Sequence, residues 1–531
     1  MHKPAKDTGR IARSAGTVGL AVLCSRLLGL AREQAFAFLF GAGFAYDAFV
    51  VAFRIPNLLR DLFAEGALST AFVTVFSDYE ANHTEREALR LVGNVIVFFT
   101  ILLSVITLLG MWQAENIVRL LVEAKFEMTA GKVELTRLMT IIMFPFLIMV
   151  SLSSVCMGIL NTRGYFFIPS VSSSFFNMGS IIGGVSLALV LPKYGQPAIV
   201  GMAIGTLFGG VLQLVGQFPA LKKAGFRFIP NLDLASPGLR RIVLLMVPAV
   251  AGLAALQANV FINNFFASSL REGSLSWLNY AFRLFMLPVG IFGVAVSIAA
   301  HPVMARQAAT GGLAALKESY ISTLTIAFCL TAPAAVGLII LAEPIIRLIF
   351  QYGRFTALAT AMTSQALIYY AIGLASYAAV KVTVPVFYNI NNTRTPVVGS
   401  FLAVLINVSV VLLLVDHLQH RALALSISCA MTGNFLFLFI ILYRKLAGFP
   451  LKYLVTGCLK VLLAALAMGG WLLALGHFSQ VRVASGSIVV DMCMVAIAIV
   501  SGAAVYGVVL YQLGLPELQL IVGRMKERFS G

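Results

Sequence analysis

The apolar residues of this chain fall into long runs, separated by short polar stretches rich in Lys and Arg. A helix of about twenty apolar residues spans a bilayer. By that measure the pattern predicts about fourteen spans. They lie near 14–40, 45–79, 90–112, 136–160, 168–191, 197–219, 240–269, 274–304, 319–342, 358–388, 396–415, 421–443, 453–476 and 486–512. Pro56 and several charges interrupt the second. The runs do not alternate polar with apolar, so helices rather than a barrel are expected.

Composition sharpens this picture. Of 531 residues, 60% are apolar and 11% charged, with a mean hydropathy of +0.94. A soluble domain carries about 25% charged residues. A soluble enzyme, a disordered chain and a nucleic-acid-binding protein are therefore excluded, and the fold class is an all-α polytopic membrane protein.

The net charge of +17 is mostly topology. Clusters at Lys222, Lys223, Arg227, Arg240 and Arg241, at Arg444, Lys445 and Lys452, and at Arg524, Lys526 and Arg528 fall on one side of the predicted membrane. Together with Lys3, Lys6, Arg10 and Arg13, they place both termini in the cytoplasm by the positive-inside rule. Arg26 and Arg32 interrupt the first run and no small-residue cleavage site follows, so a retained first helix is expected rather than a signal peptide. The six cysteines are scattered through apolar segments and read as small core residues. No His, Cys, Asp or Glu set has metal-ligand spacing, so no metal and no cofactor are expected.

The chain also resembles itself. Ala52-Phe53-Arg54 recurs as Ala281-Phe282-Arg283, and Asn161-Thr162-Arg163 as Asn392-Thr393-Arg394. Lys222-Lys223-Ala224-Gly225-Phe226 is echoed by Arg444-Lys445-Leu446-Ala447-Gly448-Phe449. The shift corresponds to six spans, an even number, so the repeats run parallel, as in some transporters. The expected organisation is an N-lobe over 1–220, a linker over 221–239, a C-lobe over 240–446, two extra helices over 447–512 and a tail over 513–531. Two lobes flanking a central cleft are the architecture of alternating access.

The candidate chemistry lies in charges placed within apolar runs: Arg26 and Arg32 in the first, Arg54 and Arg60 in the second, Arg283 in the eighth and Lys381 in the tenth. Glu33, Asp47, Asp61 and Glu65 accompany them. A charge at mid-bilayer costs about 3 kcal/mol on insertion scales, so such residues face a cavity or one another. Arg26 and Arg32 stand about 120° apart around a helix, whereas Arg26 and Glu33 share a face. The acids are too few to neutralise the basic set. Surplus arginine suits an anion, and its planar fork matches phosphate. Asn259, Asn263 and Asn264 read equally as interhelical bonds or cavity lining. Glycines from Gly179 to Gly210 have the spacing of closely packed helices. No nucleotide-binding motif appears.

Several stretches resemble the MurJ (MviN) family. They are Ser25-Arg26-Leu27-Leu28-Gly29-Leu30-Ala31-Arg32-Glu33, Asp47-Ala48-Phe49, Phe53-Arg54-Ile55-Pro56-Asn57-Leu58-Leu59-Arg60 and Phe63-Ala64-Glu65-Gly66-Ala67-Leu68-Ser69. Phe350-Gln351-Tyr352-Gly353-Arg354-Phe355-Thr356 and Val380-Lys381-Val382 continue the likeness, which runs in order over nearly the whole chain. The resemblance implies a flippase of the multidrug/oligosaccharidyl-lipid/polysaccharide exporter superfamily. Such a protein has two six-helix lobes plus two C-terminal helices, and it moves lipid II, the undecaprenyl-pyrophosphate-linked peptidoglycan precursor, across the bacterial inner membrane. It further implies substrate-binding roles for Arg26, Arg32, Arg60 and Arg283, with Asp47, Arg54, Glu65 and Lys381 beside them. Lipid II, membrane lipids and cell-wall synthesis proteins are the expected partners, and nucleic acid is not one. Two acids that many relatives carry near the equivalent of Arg283 are here Phe282 and Met286, so ion pairs proposed there in relatives do not carry over. The alternatives are a flippase for another polyprenyl-linked glycan, and an ion-coupled small-solute or multidrug exporter. The second would want acidic rather than basic residues in its cavity. Membrane potential is an expected energy source; no residue pattern names a coupling ion.

Overall fold

Backbone polar groups in lipid must be satisfied within the segment, and the chain meets that demand with helices. The computed structural model describes residues 4–62, 68–478 and 487–516, which contain no β-strand. Among the described residues, ten helical segments are long and apolar enough to cross a membrane, or eleven if one bent pair counts as a single span. The chain divides into two compact units, Met1–Ser276 and Trp277–Gly531.

The first unit opens with α1 (Pro4–Phe40), α2 (Phe44–Leu59), α3 (Ser69–Asn82) and α4 (Glu85–Trp112). Three short or half-length helices come next, α5 (Ala114–Leu121), α6 (Ala124–Glu127) and α7 (Lys132–Met143), and then α8 (Phe146–Thr162). It continues with α9 (Phe167–Val190), α10 (Ala198–Val215), α11 (Phe218–Lys223) and α12 (Pro237–Ser269). Its core gathers Phe72, Phe76, Val92, Phe99, Leu147 and Ile159 from α3, α4 and α8. The segment before α12 is strapped to α4, where Asn94 donates to the Asp233 carbonyl at 2.7 Å and accepts from its N–H at 2.9 Å. Helix α12 itself packs against α3, α4, α5 and α6 of this unit.

The second unit takes up α13 (Ser274–Pro288) within its first turn. It comprises α14 (Ala295–Ala309), α15 (Leu313–Ile340), α16 (Ala342–Phe350), α17 (Ala357–Ile372), α18 (Leu374–Asn389), α19 (Arg394–Leu418), α20 (His420–Lys445), α21 (Leu451–Phe478) and α22 (Ile488–Gln512). One core joins Tyr320, Leu324, Val386, Phe387 and Leu438. A second holds α21 and α22 to α15 through Val461, Met468, Leu472 and Tyr506.

The units carry matching elements. Helices α4 and α15 are both 28 residues long. Each leads into a short amphipathic helix of related sequence, Ala114-Glu115-Asn116-Ile117-Val118-Arg119-Leu120 and Ala342-Glu343-Pro344-Ile345-Ile346-Arg347-Leu348. Each short helix carries an i,i+4 ion pair, Glu115–Arg119 at 3.0 Å and Glu343–Arg347 at 2.6 Å. A broken span comes after it in both. Phe144 and Pro145 separate α7 from α8, and Gly373 separates α17 from α18, which meet at 45°. The second span of each repeat contains π-helical backbone, at 60–62 and at Val289–Val294. Such stretches inside helices are common at functional sites.

The expected second span thus holds two helices, α2 and α3, with π-helical backbone at 60–62 directly after α2. Pro56 lies inside α2, where it removes a ladder donor and loosens the helix around it. Two expected core cysteines, Cys24 and Cys493, are instead exposed, on helices whose outer faces are apolar.

The small-residue spacing of α9 and α10 brings their backbones together. A Cβ at Gly205 would lie 2.4 Å from the Gly184 Cα, and one at Gly209 would lie 2.5 Å from the Phe176 carbonyl oxygen. Gly205→Ala is therefore expected to destabilise the protein by about 1–3 kcal/mol, as overpacking does. Thermal unfolding in detergent checks this. Gly470→Ala, whose Cβ would meet nothing within 4 Å, is the matched control and is expected to leave the melting temperature unchanged or raised.

Candidate functional site

Helix α1 runs into α2 through Gly41, whose φ of 66° is a turn conformation that glycine adopts without strain. The first turn of α2 is held by the loop that precedes α13. Glu272 Oε1 accepts from the Phe44 N–H at 3.0 Å. Asp47 accepts from four donors: Ser276 Oγ at 2.5 Å, the N–H of Ser276 at 3.0 Å, the N–H of Gly273 at 2.8 Å and Lys132 Nζ at 3.4 Å. Asp47 is 2% exposed and Lys132 4%. The Lys132 ammonium lies over the Phe126 ring, 4.5 Å from its centroid, with Phe44 at 5.6 Å.

Further along α1, Arg32 pairs with its neighbour Glu33 at 2.9 Å. The other Glu33 oxygen accepts from Tyr46 Oη at 2.6 Å. The guanidinium stacks over Phe176 of α9 at 5.2 Å. Arg32 is buried, and its Nε has no hydrogen-bond partner among the described residues. The helix-face argument pairs Glu33 with Arg26; the observed ion pair joins Glu33 to Arg32, because adjacent long side chains can meet without sharing a face. Arg26 is half-buried one turn before Gly29, where α1 lies against Asn177 of α9. Asn177 also donates to the Ser25 carbonyl at 3.1 Å.

The last two turns of α2 reach across to α12. Arg54 donates to Asn264 Oδ1 at 2.9 Å. Arg60 donates to Asp61 Oδ1 twice, from Nε at 3.2 Å and from Nη2 at 2.9 Å. Gln257 of α12 donates to the other Asp61 oxygen at 3.1 Å. Positions 47 and 54 of α2 and 61 just beyond it are seven residues apart and lie along one stripe. Their partners descend in order from Ser276 and Gly273 to Asn264 and Gln257. This stripe is a polar seam. It decides the reading of Asn264, which is an interhelical bond.

In the second unit, Arg283 is exposed on α13. Its neighbour Phe282 packs on Phe285 and Tyr370. Phe285 meets Tyr377 of α18 edge-on at 5.6 Å, and Lys381 Nζ lies 5.8 Å from the Tyr377 ring centroid. Glu65 lies outside the described residues.

Sequence reading missed Lys132 and Glu272. Both sit in polar stretches between apolar runs, where charge is ordinary. Lys132 carries one available signal: the second repeat has no lysine at the start of its broken span.

The fold is that of a multidrug-exporter-type membrane protein. A MATE family transporter in an inward-facing conformation matches with a TM-score of 0.70 at 15% identity, covering 80% of this chain and 94% of that one. The family model described as lipid II flippase MurJ matches residues 36–493, and the chain belongs to that family. A probable lipid II flippase MurJ of Buchnera aphidicola subsp. Acyrthosiphon pisum is 35% identical over 429 residues, which is 81% of this chain and 83% of the relative. A solved lipid II flippase MurJ in an inward closed conformation has a TM-score of 0.74 at 26% identity and covers 92% of this chain and 98% of its own.

Proposed function

We propose that this chain flips lipid II across the bacterial inner membrane by alternating access, with both termini in the cytoplasm. The observation that carries the reading is a surplus of guanidinium groups inside apolar helices in a chain of this family. An aqueous surface would dilute their attraction for phosphate, whereas a site of low dielectric strengthens it. The protein acts as a transporter rather than an enzyme.

Arg26, Arg32, Arg54, Arg60, Arg283 and Lys381 meet the diphosphate in the course of the cycle. Asp47 takes a positioning role, because its oxygens are occupied by Lys132, Gly273 and Ser276. Arg32 keeps a buried donor for a ligand. The two π-helical stretches are the bending points of the cycle. Moving charge across the membrane is worth about 2.3 kcal/mol per charge per 100 mV, enough for the potential to return an empty, cationic carrier. A multidrug exporter would need acids for organic cations, and Glu33, Asp47 and Asp61 are already paired.

The test is rescue of a strain depleted of its own lipid II flippase, with translocation scored in the same cells. Wild type is expected to restore translocation. Arg26→Ala and Arg283→Ala are expected to insert normally and fail. Normal growth on either variant removes that arginine from the site, and failure of well-inserted wild type in a strain that accepts other members of the family overturns lipid II as substrate.

A further inference from the structure

We propose that Phe53 and Phe282 are positioning residues for transport. Each ties the arginine that follows it to the break in the broken span of its own repeat, so a change of bend there is carried to Arg54 and Arg283. This rests on the reading above that these arginines meet the diphosphate.

Phe53-Arg54 and Phe282-Arg283 hold equivalent places in the two repeats. In the first unit, Phe146 is the first residue of α8 after the break at Phe144 and Pro145, and it is fully buried. The Phe53 ring packs on it, 5.8 Å between centroids. Phe146 also meets Phe176 at 5.3 Å, the ring that carries the Arg32 guanidinium. In the second unit, Tyr370 stands in the last turn of α17 before Gly373. Phe282 meets it edge-on at 5.5 Å. Phe285 touches Tyr370 at 5.7 Å and Tyr377 at 5.6 Å, one ring from each side of the break. Lys381 lies beside that Tyr377 ring.

In both repeats, then, the break carries rings that lead to two cations. They are Arg32 and Arg54 in the first, and Arg283 and Lys381 in the second. The breaks fall at Pro145 and Gly373, residue types that let a helix bend. Tilted and edge-on ring pairs at these separations fix orientation as well as position. Arg283 is exposed while Phe285, two residues on, is 1% exposed. The packed face therefore locates the helix and the arginine stands away from it. A bidentate contact of guanidinium with phosphate has strict geometry, so an arginine whose helix has lost its anchor binds less well.

The test is a double-variant cycle on the full chain in phosphatidylcholine nanodiscs, read as the Kd for tritiated lipid II. Arg283→Ala is expected to weaken binding about a hundredfold and Phe282→Ala about tenfold. The double variant is expected to bind no worse than Arg283→Ala, because a residue that acts through its neighbour has nothing left to act on. Phe282→Tyr keeps the ring and is expected to recover most of the affinity. Phe282→Leu keeps the space filled and repeats the cycle without a cavity. Phe53→Ala with Arg54→Ala repeats it in the first unit. Losses that multiply in the double variants, or Phe282→Ala and Phe53→Ala chains that bind as tightly as wild type, overturn the positioning role. Wild type that binds no lipid II, or Arg283→Ala and Arg54→Ala chains that bind it as tightly as wild type, sinks the substrate reading instead.

Discussion

Asp47→Asn is expected to destabilise the protein by about 3–5 kcal/mol, the range for breaking one side of a buried ion pair. The change leaves the Lys132 ammonium charged, 4% exposed and without a counter-charge among the described residues, beside the rings of Phe126 and Phe44. It also weakens the acceptor that fixes the N–H groups of Gly273 and Ser276. Lys132→Met should be milder, since the carboxylate keeps three donors. The double variant Asp47→Asn with Lys132→Met removes both charges and should recover most of the loss, giving a coupling of at least about 1 kcal/mol. Unfolding of the purified protein in detergent, run on all four chains, measures it. A double variant as unstable as Asp47→Asn alone would show that Asp47 acts through Ser276 and Gly273 rather than through the ion pair.

That cluster also shows where sequence reading stops. Helix positions were legible because lipid imposes a length and a hydropathy that soluble context does not. The runs at 90–112, 396–415 and 486–512 lie within or coincide with α4, α19 and α22 to a few residues. The disturbance of the second span was legible in Pro56 and Arg60, but its π turn was not, since a change in hydrogen-bond register leaves no mark on hydropathy. The amphipathic helices α5 and α16 carry a shared Ala-Glu-x-Ile-x-Arg-Leu pattern, yet each is shorter than a span and vanishes in a window of about twenty residues.

The charged residues were legible as a set and not as partners. Their cost in lipid singles out Arg26, Arg32, Arg54 and Arg60. Whom they meet depends on tertiary placement. Asp47 finds Lys132, 85 residues away, and backbone donors 226 and 229 residues away. Only the Arg60–Asp61 and Arg32–Glu33 contacts are local enough to be seen in the sequence, and an i,i+1 pair is not one that helix periodicity points to.

Arg60→Ala is expected to lower lipid II translocation roughly a hundredfold, from loss of about 3 kcal/mol of charge-assisted hydrogen bonding to phosphate. Its effect on folding should be small. The side chains of Arg60 and Asp61 are 23% and 27% exposed, and partly solvated pairs contribute about 0–1 kcal/mol. Arg60→Lys keeps the charge and loses the fork, so it should fall between the two. The rival explanation is that Arg60 serves only to neutralise Asp61 in the seam with Gln257. The two differ in the double variant. If Arg60 only neutralises Asp61, Arg60→Ala with Asp61→Asn restores transport, since no charge is left to balance. If Arg60 binds substrate, the double variant stays as impaired as Arg60→Ala, while Asp61→Asn alone transports at least as well as wild type, because its arginine no longer has to leave a carboxylate to reach a phosphate. Translocation rates in proteoliposomes, normalised to inserted protein, separate the outcomes, and restored transport in the double variant would remove Arg60 from the binding site and leave it as part of the seam.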